Sequence, residues 1–234
     1  MQPQTPSHLT RLARKTDDWF RRASAAHLSQ VPCRAGCSHC CIGLFPITRL
    51  DVRLLEEGLG HLRVNERERI EERASEQIRA LESAYPRLKP SPSLNGWSDQ
   101  EIDQAATSFE HVSCPALGDD GRCLLYAYRP LTCRSMGIPI RQVALVHGAC
   151  AVQTFVPITR LSASLEAEEQ EFAGLEATEL TALPEVVEAG EETFLPYGFV
   201  SRDMKAAAAP AGPATHRLLD SERNEGATRH TGHR

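Results

Sequence analysis

The chain has 234 residues, of which 41% are hydrophobic and 24% are charged, and its formal net charge is −5 at pH 7. These values are typical of a globular protein with one core. No stretch approaches the ~20 apolar residues of a membrane-spanning helix, and no basic patch is interleaved with aromatic residues as in nucleic-acid-binding proteins. Charged side chains also interrupt the first thirty residues, which argues against a secretory signal peptide. We therefore expect a cytoplasmic protein with no membrane and no nucleic-acid partner.

Two helices are predicted in the first part of the chain. Apolar residues follow one stripe from His8 to Leu28. A second helix is expected to start after Thr48, because Thr48 and Asp51 have the spacing of a capping box. Its leucines would face the core, and Gly58 or Gly60 would end it.

Three further segments have a helical pattern. From about Asn65 to Ala84, Glu and Arg alternate around apolar positions, which predicts a surface helix with charge pairs three and four residues apart. Ser98 and Glu101 have capping-box spacing and predict another helix start. The segment from about Arg160 to Gly190 is also helical in pattern. It lies in a stretch, 161–200, with ten glutamates and no Lys, Arg or Asp, which we interpret as a solvated acidic face.

The segment from Cys114 to Tyr126 has a different pattern. An Asp-Gly turn signal at 120–121 stands between short apolar arms. This pattern predicts a small β-hairpin that brings Cys114 and Cys123 together. The Arg129-Pro130 pair then predicts the start of a helical turn that carries Cys133.

Together these elements predict a mainly α fold: a small irregular helical domain with one short β-hairpin, organised around a cysteine metal cluster. Residues 1–200 would form a single cysteine-cluster domain, with a metal-binding core at 30–155 and a helical C-terminal extension at 156–200. Residues 201–234 contain too little apolar material for a core, and we predict a disordered tail there.

The cysteines indicate the chemistry. Eight are present, four of them within nine residues: Cys33, Cys37, Cys40, Cys41, Cys114, Cys123, Cys133 and Cys150. A reducing compartment disfavours disulfides, and four thiolates complete either a tetrahedral zinc site or a 4Fe–4S cluster. We predict that all eight are ligands of one or two metal centres, with Cys41 able to reach a second centre because it is adjacent to Cys40. Iron and zinc both stay open.

Arginines recur beside these cysteines, at Arg34, Arg122, Arg129 and Arg134. A four-thiolate centre carries excess negative charge and gains from nearby hydrogen-bond donors. We predict that Arg129 and Arg134 stabilise the centre in this way, the alternative for each being a side chain in solvent. Three histidines are further possible ligands, although eight cysteines leave little need for them: His39, His111 and His147.

The Cys-x3-Cys-x2-Cys spacing also matches the cluster motif of radical S-adenosylmethionine enzymes. Those enzymes resemble one another in having an aromatic residue before the last cysteine, where this chain has His39. They also need alternating strands and helices after the motif, whereas helices dominate here and a fourth cysteine follows at once. The pattern therefore disfavours a radical enzyme.

The complete motif set resembles a known family. The set consists of the run Cys33-x3-Cys37-x2-Cys40-Cys41, then Cys114-Pro115-x-Leu117, Cys123-x2-Tyr126-x2-Arg129-Pro130-x2-Cys133-Arg134 and a final Cys150. This pattern is similar to the YkgJ-type cysteine-cluster family, also named CxxCxxCC and described as a zinc- or iron-chelating domain, over about residues 30–155. The first gap is three residues here, where the family's name gives two. Members are often labelled iron–sulfur oxidoreductases, and a similar cysteine set occurs in larger flagellin lysine-N-methylases, which makes an iron–sulfur cluster the slightly favoured cofactor.

The leading hypothesis is a metal-binding protein that holds an iron–sulfur cluster, zinc or both, in a structural or electron-transfer role. One alternative is an iron–sulfur oxidoreductase or methyl-transfer enzyme built on the cluster. Another is a metal storage or delivery module with a protein partner that docks on the glutamate-rich helix. No phosphate loop, nucleophile elbow or acid–base pair is evident, so no catalytic residue is predicted and enzymatic activity stays undecided.

Overall fold

The computed structural model describes residues 8–26, 36–138, 140–142, 145–147, 162–183 and 191–200. These ranges form a mainly helical fold, which confirms the predicted class. The helices are α1 (His8–Ala26), α2 (Arg49–His61), α3 (Val64–Ala84), α4 (Asp99–Ser108), α5 (Leu131–Ser135) and α6 (Ala163–Thr181), and the strands are β1 (Pro46–Thr48), β2 (Ile140–Gln142), β3 (Leu145–His147) and β4 (Glu192–Phe194). No helix in these ranges is long and apolar enough to cross a membrane. The predicted tail at 201–234 lies outside the described residues, as do Cys33 and Cys150.

The strands form two antiparallel pairs. β1 pairs with β4, so that Pro46 lies opposite Phe194, and β2 pairs with β3 as a short hairpin. The predicted hairpin is therefore present, but at 140–147 and not at 114–126. The latter segment contains one isolated bridge, between Leu117 and Cys123, because the chain turns into a 3-10 helix at Tyr126–Tyr128 before a ladder can extend.

Local sequence signals set the helix starts. Thr48 Oγ1 accepts a hydrogen bond from the Asp51 amide at 3.4 Å, and the Asp51 carboxylate accepts one from the Thr48 amide at 3.2 Å. Ser98 and Glu101 exchange the same pair of bonds at the start of α4. Both predicted capping boxes are confirmed, since each satisfies amides that have no partner within the helix.

The predicted end of α2 is wrong. The helix continues through Gly58 and Gly60 to His61. A Cβ atom on Gly58 would lie 2.6 Å from Cβ of Tyr128, whereas one on Gly60 would meet nothing within 4 Å. Gly58 therefore permits a close approach to the segment that follows Cys123, and it does not end the helix.

The main core lies between α2, α3 and the last described segment. The predicted inward leucines of α2 are buried, as are the apolar positions of α3: Leu50, Leu54, Leu55, Leu59, Ile70, Ala74, Ile78 and Leu81. Against them pack β4 and a 3-10 helix, Leu195–Phe199, whose aromatic residues Phe194 and Phe199 are almost fully buried. Within the described part of 156–200, only Ala163–Thr181 is an α-helix. Residues 192–199 instead pack into the core, because Pro196 and closely spaced apolar side chains favour burial over a solvated helix.

A second group of helices packs beside this core. The Trp19 indole of α1 donates to the Leu165 carbonyl of α6 at 2.9 Å, and both side chains are buried. Arg22 pairs with Glu168 at 2.7 Å on the same interface. Helix α1 also packs on α5, the short helix that carries Cys133. α1 is thereby brought to the cysteine-containing part of the chain.

Candidate metal centre

Three cysteines of the first run lie in one tight loop. Cys40 and Cys41 occupy a 3-10 turn, His39–Cys41, in which the Cys41 amide donates to the Ser38 carbonyl at 2.8 Å. The loop is bounded by Gly36 and Gly43, whose φ values of 84° and 110° lie in the region that favours glycine. Cys37 precedes the turn, and all three thiols are partly buried.

The loop is bound directly to the second group of cysteines. The Cys114 amide donates to the Cys41 carbonyl at 2.7 Å, and the Gly43 amide donates to the Val112 carbonyl at the same distance. Ile42 and Ser113 form an antiparallel bridge between these bonds. Two cysteines more than seventy residues apart in sequence are thus adjacent in the fold.

A turn then brings Cys123 back towards Cys114. The Gly118 amide donates to the Arg122 carbonyl at 2.8 Å, and the Leu124 amide donates to the Ala116 carbonyl at 2.9 Å. Gly121 has a φ of 75°, and a Cβ there would lie 3.1 Å from the Gly36 carbonyl oxygen. The turn therefore lies against the backbone just before Cys37, so that it contacts the loop of the first run.

Cys133 enters from α5, and a buried carboxylate fixes the start of that helix. Asp51 is fully buried, and its Oδ1 accepts a hydrogen bond from the Leu131 amide at 2.7 Å. Burial raises the pKa of Asp51 to about 6, against the lowering effect of the Leu131 and Thr48 amides. Asp51 thus caps α2 and holds the first amide of α5. The sequence analysis identified only the first of these roles.

Five thiols share one electrostatic environment: Cys40, Cys41, Cys114, Cys123 and Cys133. Burial, together with the charges of Cys123 and Cys40, raises the pKa of Cys114 to about 12. Burial likewise raises the pKa of Cys123 and that of Cys133. Ionising several of these thiols together is therefore unfavourable unless a cation lies among them.

Cys40 differs from the other four. The Cys41 thiol donates a hydrogen bond to it and lowers the pKa of Cys40 to about 7, and the Arg129 charge contributes in the same direction. The same hydrogen bond, together with burial, raises the pKa of Cys41. Cys40 is thus the thiol of this group that ionises first, and the thiolate is the form in which cysteine binds metals.

Both predicted arginines are buried, and Arg129 is close enough for its charge to act on Cys40 and Cys123. Arg129 donates to Asp17 Oδ1 at 2.6 Å and to the Tyr126 carbonyl at 2.8 Å. Arg134, with a side chain 1% exposed, donates to the second oxygen of Asp17. The sequence analysis missed Asp17. Its position one helical turn after the buried Ala13, on the apolar stripe of α1, is the signal that could have identified it.

The remaining predicted residues are placed as follows. His111 is exposed, and its Nε2 lies 3.3 Å from Glu110 Oε1. His39 is exposed next to Cys40. The side chain of His147, like Cys33 and Cys150, lies outside the described residues. Within the described ranges, no three His, Cys, Asp or Glu side chains have the close geometry of a bound metal ion.

The chemistry of the clustered side chains fits a soft or borderline metal. All five donors are sulfur, which favours zinc or iron–sulfur clusters over magnesium or calcium, because those ions prefer oxygen ligands. Arg129 supplies a positive charge beside the sulfurs, which compensates part of the negative charge of a thiolate centre. Residues 37–41 and 114–133 would hold such a group from both sides.

Comparisons with known proteins agree with this assessment. A family model described as "CxxCxxCC: Putative zinc- or iron-chelating domain" matches residues 32–151, just over half of the chain. No curated protein and no solved structure matches the chain. The matched range contains all eight cysteines together with Arg129 and Arg134. On this match, the chain belongs to the CxxCxxCC family of zinc- or iron-chelating domains.

Proposed function

We propose that this protein binds an iron–sulfur cluster or zinc through its cysteines, in a structural or electron-transfer role. The observation that carries the proposal is the gathering of five thiols from three separate segments into one partly buried cluster. Ionising several of these buried thiols together is unfavourable in the absence of a cation. A bound cation reverses that effect, because the attraction between metal and thiolate exceeds the repulsion between sulfurs.

The positions of the clustered thiols suggest which of the eight cysteines bind the same centre. Cys40, Cys114, Cys123 and Cys133 come from three segments and supply the four sulfurs that a tetrahedral zinc site or a 4Fe–4S cluster needs. Cys41 is adjacent to Cys40, and the charge of Cys40 acts on its thiol. It serves either as a replacement ligand or as a bridge to a second centre. Cys33, Cys37 and Cys150 are proposed as the remaining ligands on the basis of the family motif.

The bound group would supply either a redox centre or a cross-link between distant segments. Iron–sulfur clusters accept and donate single electrons, whereas zinc has no redox chemistry. Either group would join the loop at 36–43 to the turn at 114–123 and to α5. We favour iron–sulfur slightly, because three cysteines in one loop resemble cluster-binding loops more than paired zinc knuckles.

Metal analysis of anaerobically purified protein, together with its visible absorption spectrum, tests the proposal. An iron–sulfur protein would be brown, with equal amounts of iron and acid-labile sulfide, while a zinc protein would be colourless with stoichiometric zinc. A folded protein that contains neither and takes up neither on reconstitution would contradict the proposal. Purification in the presence and absence of oxygen separates the two metals, because iron–sulfur clusters on partly exposed cysteines are lost on oxidation.

A further inference from the structure

We propose that Asp17 is a positioning residue of the thiol cluster: it holds Arg129 beside Cys40 and Cys123 and joins α1 to the turn that carries Cys133. The inference rests on the proposed function, since it assigns Asp17 a role in metal binding. Asp17 lies outside the family match at 32–151 and reaches the cluster only through the fold. It lies more than 110 residues before both of its arginine partners.

The Arg129 guanidinium is fixed on three sides. It donates to Asp17 Oδ1 at 2.6 Å and to the Tyr126 carbonyl at 2.8 Å, and its Cζ lies 3.9 Å from the centre of the Tyr126 ring. Only 10% of the Arg129 side chain is exposed. Of these three partners only Asp17 carries a charge and comes from a distant element, so it decides where a long flexible side chain is held.

Arg134 completes a closed set of contacts. It donates to the second oxygen of Asp17, to the Arg129 carbonyl at 3.0 Å and to the Ala127 carbonyl at 2.6 Å. The Asp17 carboxylate therefore binds both arginines, and the Arg134 side chain also binds the backbone carbonyl of Arg129. Since Arg134 follows Cys133 directly, the same contacts orient the turn that presents this thiol.

Charge explains why a carboxylate is needed at this position. Two guanidinium groups so close together repel each other, and Asp17 offsets that repulsion while leaving one net positive charge in the group. The positive charge of Arg129 acts on the sulfurs of Cys40 and Cys123. Losing such outer partners of metal ligands typically costs 10- to 100-fold in metal affinity.

A double-mutant cycle tests the inference. The variants are Asp17→Asn, Arg129→Gln and the double variant, with Asp18→Asn as the control, because Asp18 is an exposed neighbour that pairs with Arg21 on the surface. The affinity for Zn²⁺ is measured under anaerobic reducing conditions by competition with a chromophoric chelator. Circular dichroism reports folding for each variant.

We expect Asp17→Asn and Arg129→Gln each to weaken zinc binding about tenfold. The double variant should be no more than about twice as weak as the weaker single variant, because both changes remove one coupled interaction. Asp18→Asn should bind as the wild type does. Unchanged affinity in a folded Asp17→Asn protein, or losses that multiply in the double variant, would overturn the inference.

Asp17→Asn removes the carboxylate that both buried arginines bind and can prevent folding. Asp17→Glu covers that case, since it keeps the charge but moves the carboxylate outward by one methylene. The inference requires weaker zinc binding in folded Asp17→Glu protein, and wild-type affinity would contradict it. A wild-type chain that binds neither zinc nor a reconstituted iron–sulfur cluster contradicts the proposed function itself, and the inference then falls with it.

Discussion

Individual side chains determine how easily each cysteine thiol of this protein ionises. Cys114 and Cys133 are partly buried and difficult to ionise, whereas Cys40 has a pKa near 7 because Cys41 and Arg129 stabilise its thiolate. In the proposed centre Cys40 would bind first, and the metal would then displace the protons of the other thiols into solvent. Metal binding should therefore release protons and weaken as the pH falls.

Replacing the clustered cysteines tests which thiols share one centre. Structural zinc sites contribute roughly 12 kcal/mol through four ligands, so losing one should cost about 3 kcal/mol, or about a hundredfold in affinity. We expect that loss in Cys114→Ser, Cys123→Ser and Cys133→Ser, measured by competition for Zn²⁺. Ser113→Ala is the matched control, because Ser113 adjoins Cys114 on the exposed side. Wild-type affinity in any of the three cysteine variants would remove that thiol from the centre.

Glu176 gives a prediction about stability and pH. It lines a cavity of about 80 Å³ together with Trp19 and Phe172. Burial, together with the charges of Asp51 and Glu192, raises its pKa to about 7. Because the unfolded value is about 4.3, the folded state holds this proton more tightly. The stability that Glu176 contributes is complete below about pH 4 and is lost as the pH rises through about 7.

We therefore expect Glu176→Gln to flatten the decline in stability of the metal-free protein between pH 5 and pH 8. At pH 8 the variant should be more stable by on the order of 1 kcal/mol. Asp51, whose pKa is also raised by burial, would keep part of the slope. Urea unfolding at several pH values measures the effect. Glu171→Gln, an exposed position on the same helix, should leave the pH profile unchanged, and an equal effect there would count against burial as the cause.

At the level of elements, α2 positions the segment between Cys123 and Cys133 through contacts at both of its ends. Its N-terminal Asp51 holds the start of α5, and its C-terminal turn lies against Tyr128 and Leu125. The stacked rings of His61 and Tyr128, with centroids 5.3 Å apart, continue this contact. The position of the chain between Cys123 and Cys133 therefore depends on how closely it can approach the helix.

Two glycines of α2 provide a matched test of that approach. In Gly58→Ala the new Cβ would lie 2.6 Å from Tyr128 Cβ and 2.8 Å from its Cγ, and we expect a loss of about 1–3 kcal/mol together with weaker metal binding. Gly60→Ala meets nothing within 4 Å and should stabilise the protein by about 0.5–1 kcal/mol, because alanine favours a helix over glycine. Chemical denaturation measures both. Equal effects at the two positions would mean that the contact with Tyr128 carries no weight.

At the level of the whole molecule, the segment 191–200 joins the core to the loop that follows the first cysteine run. The Leu195 amide donates to the Phe45 carbonyl at 3.1 Å, only a few residues after Cys41, and β4 pairs with β1. The loop that follows Cys41 is thus hydrogen-bonded to a segment of the core. We retain the prediction that residues 1–200 form a single domain.

Two truncations test this prediction. A chain that ends after Val200 should keep its melting temperature and its metal. A chain that ends after Leu183 loses, among other buried residues, the large apolar side chains of Phe194, Leu195, Tyr197 and Phe199. Their burial is worth roughly 6–12 kcal/mol in all, which is comparable with the whole stability of a domain, so this chain should not fold. A folded, metal-binding product from the shorter chain would place the domain boundary before residue 191.

The sequence predicted those features that depend on neighbouring residues. The starts of α2 and α4 follow from side chains three residues apart, and the buried stripes of α2 and α3 follow from helical periodicity. The cysteine spacing predicted the family together with the residues around it, namely Pro115, Leu117, Tyr126, Arg129, Pro130 and Arg134. The end of α2 and the place of the hairpin were predicted wrongly, since both depend on contacts with Tyr128 and on the path of the chain after Cys123.

The sequence by itself therefore determined the helical class, the family and a thiol-based chemistry. Only the tertiary structure decided that Cys41 adjoins Cys114, that Asp17 binds Arg129 and Arg134, and that residues 192–199 enter the core. The physical reason is the distance along the sequence over which each kind of interaction acts. Caps and periodicity act within one or two helical turns, whereas a buried carboxylate finds its arginines, and a thiol its neighbours, only after segments about seventy to 120 residues apart have packed together.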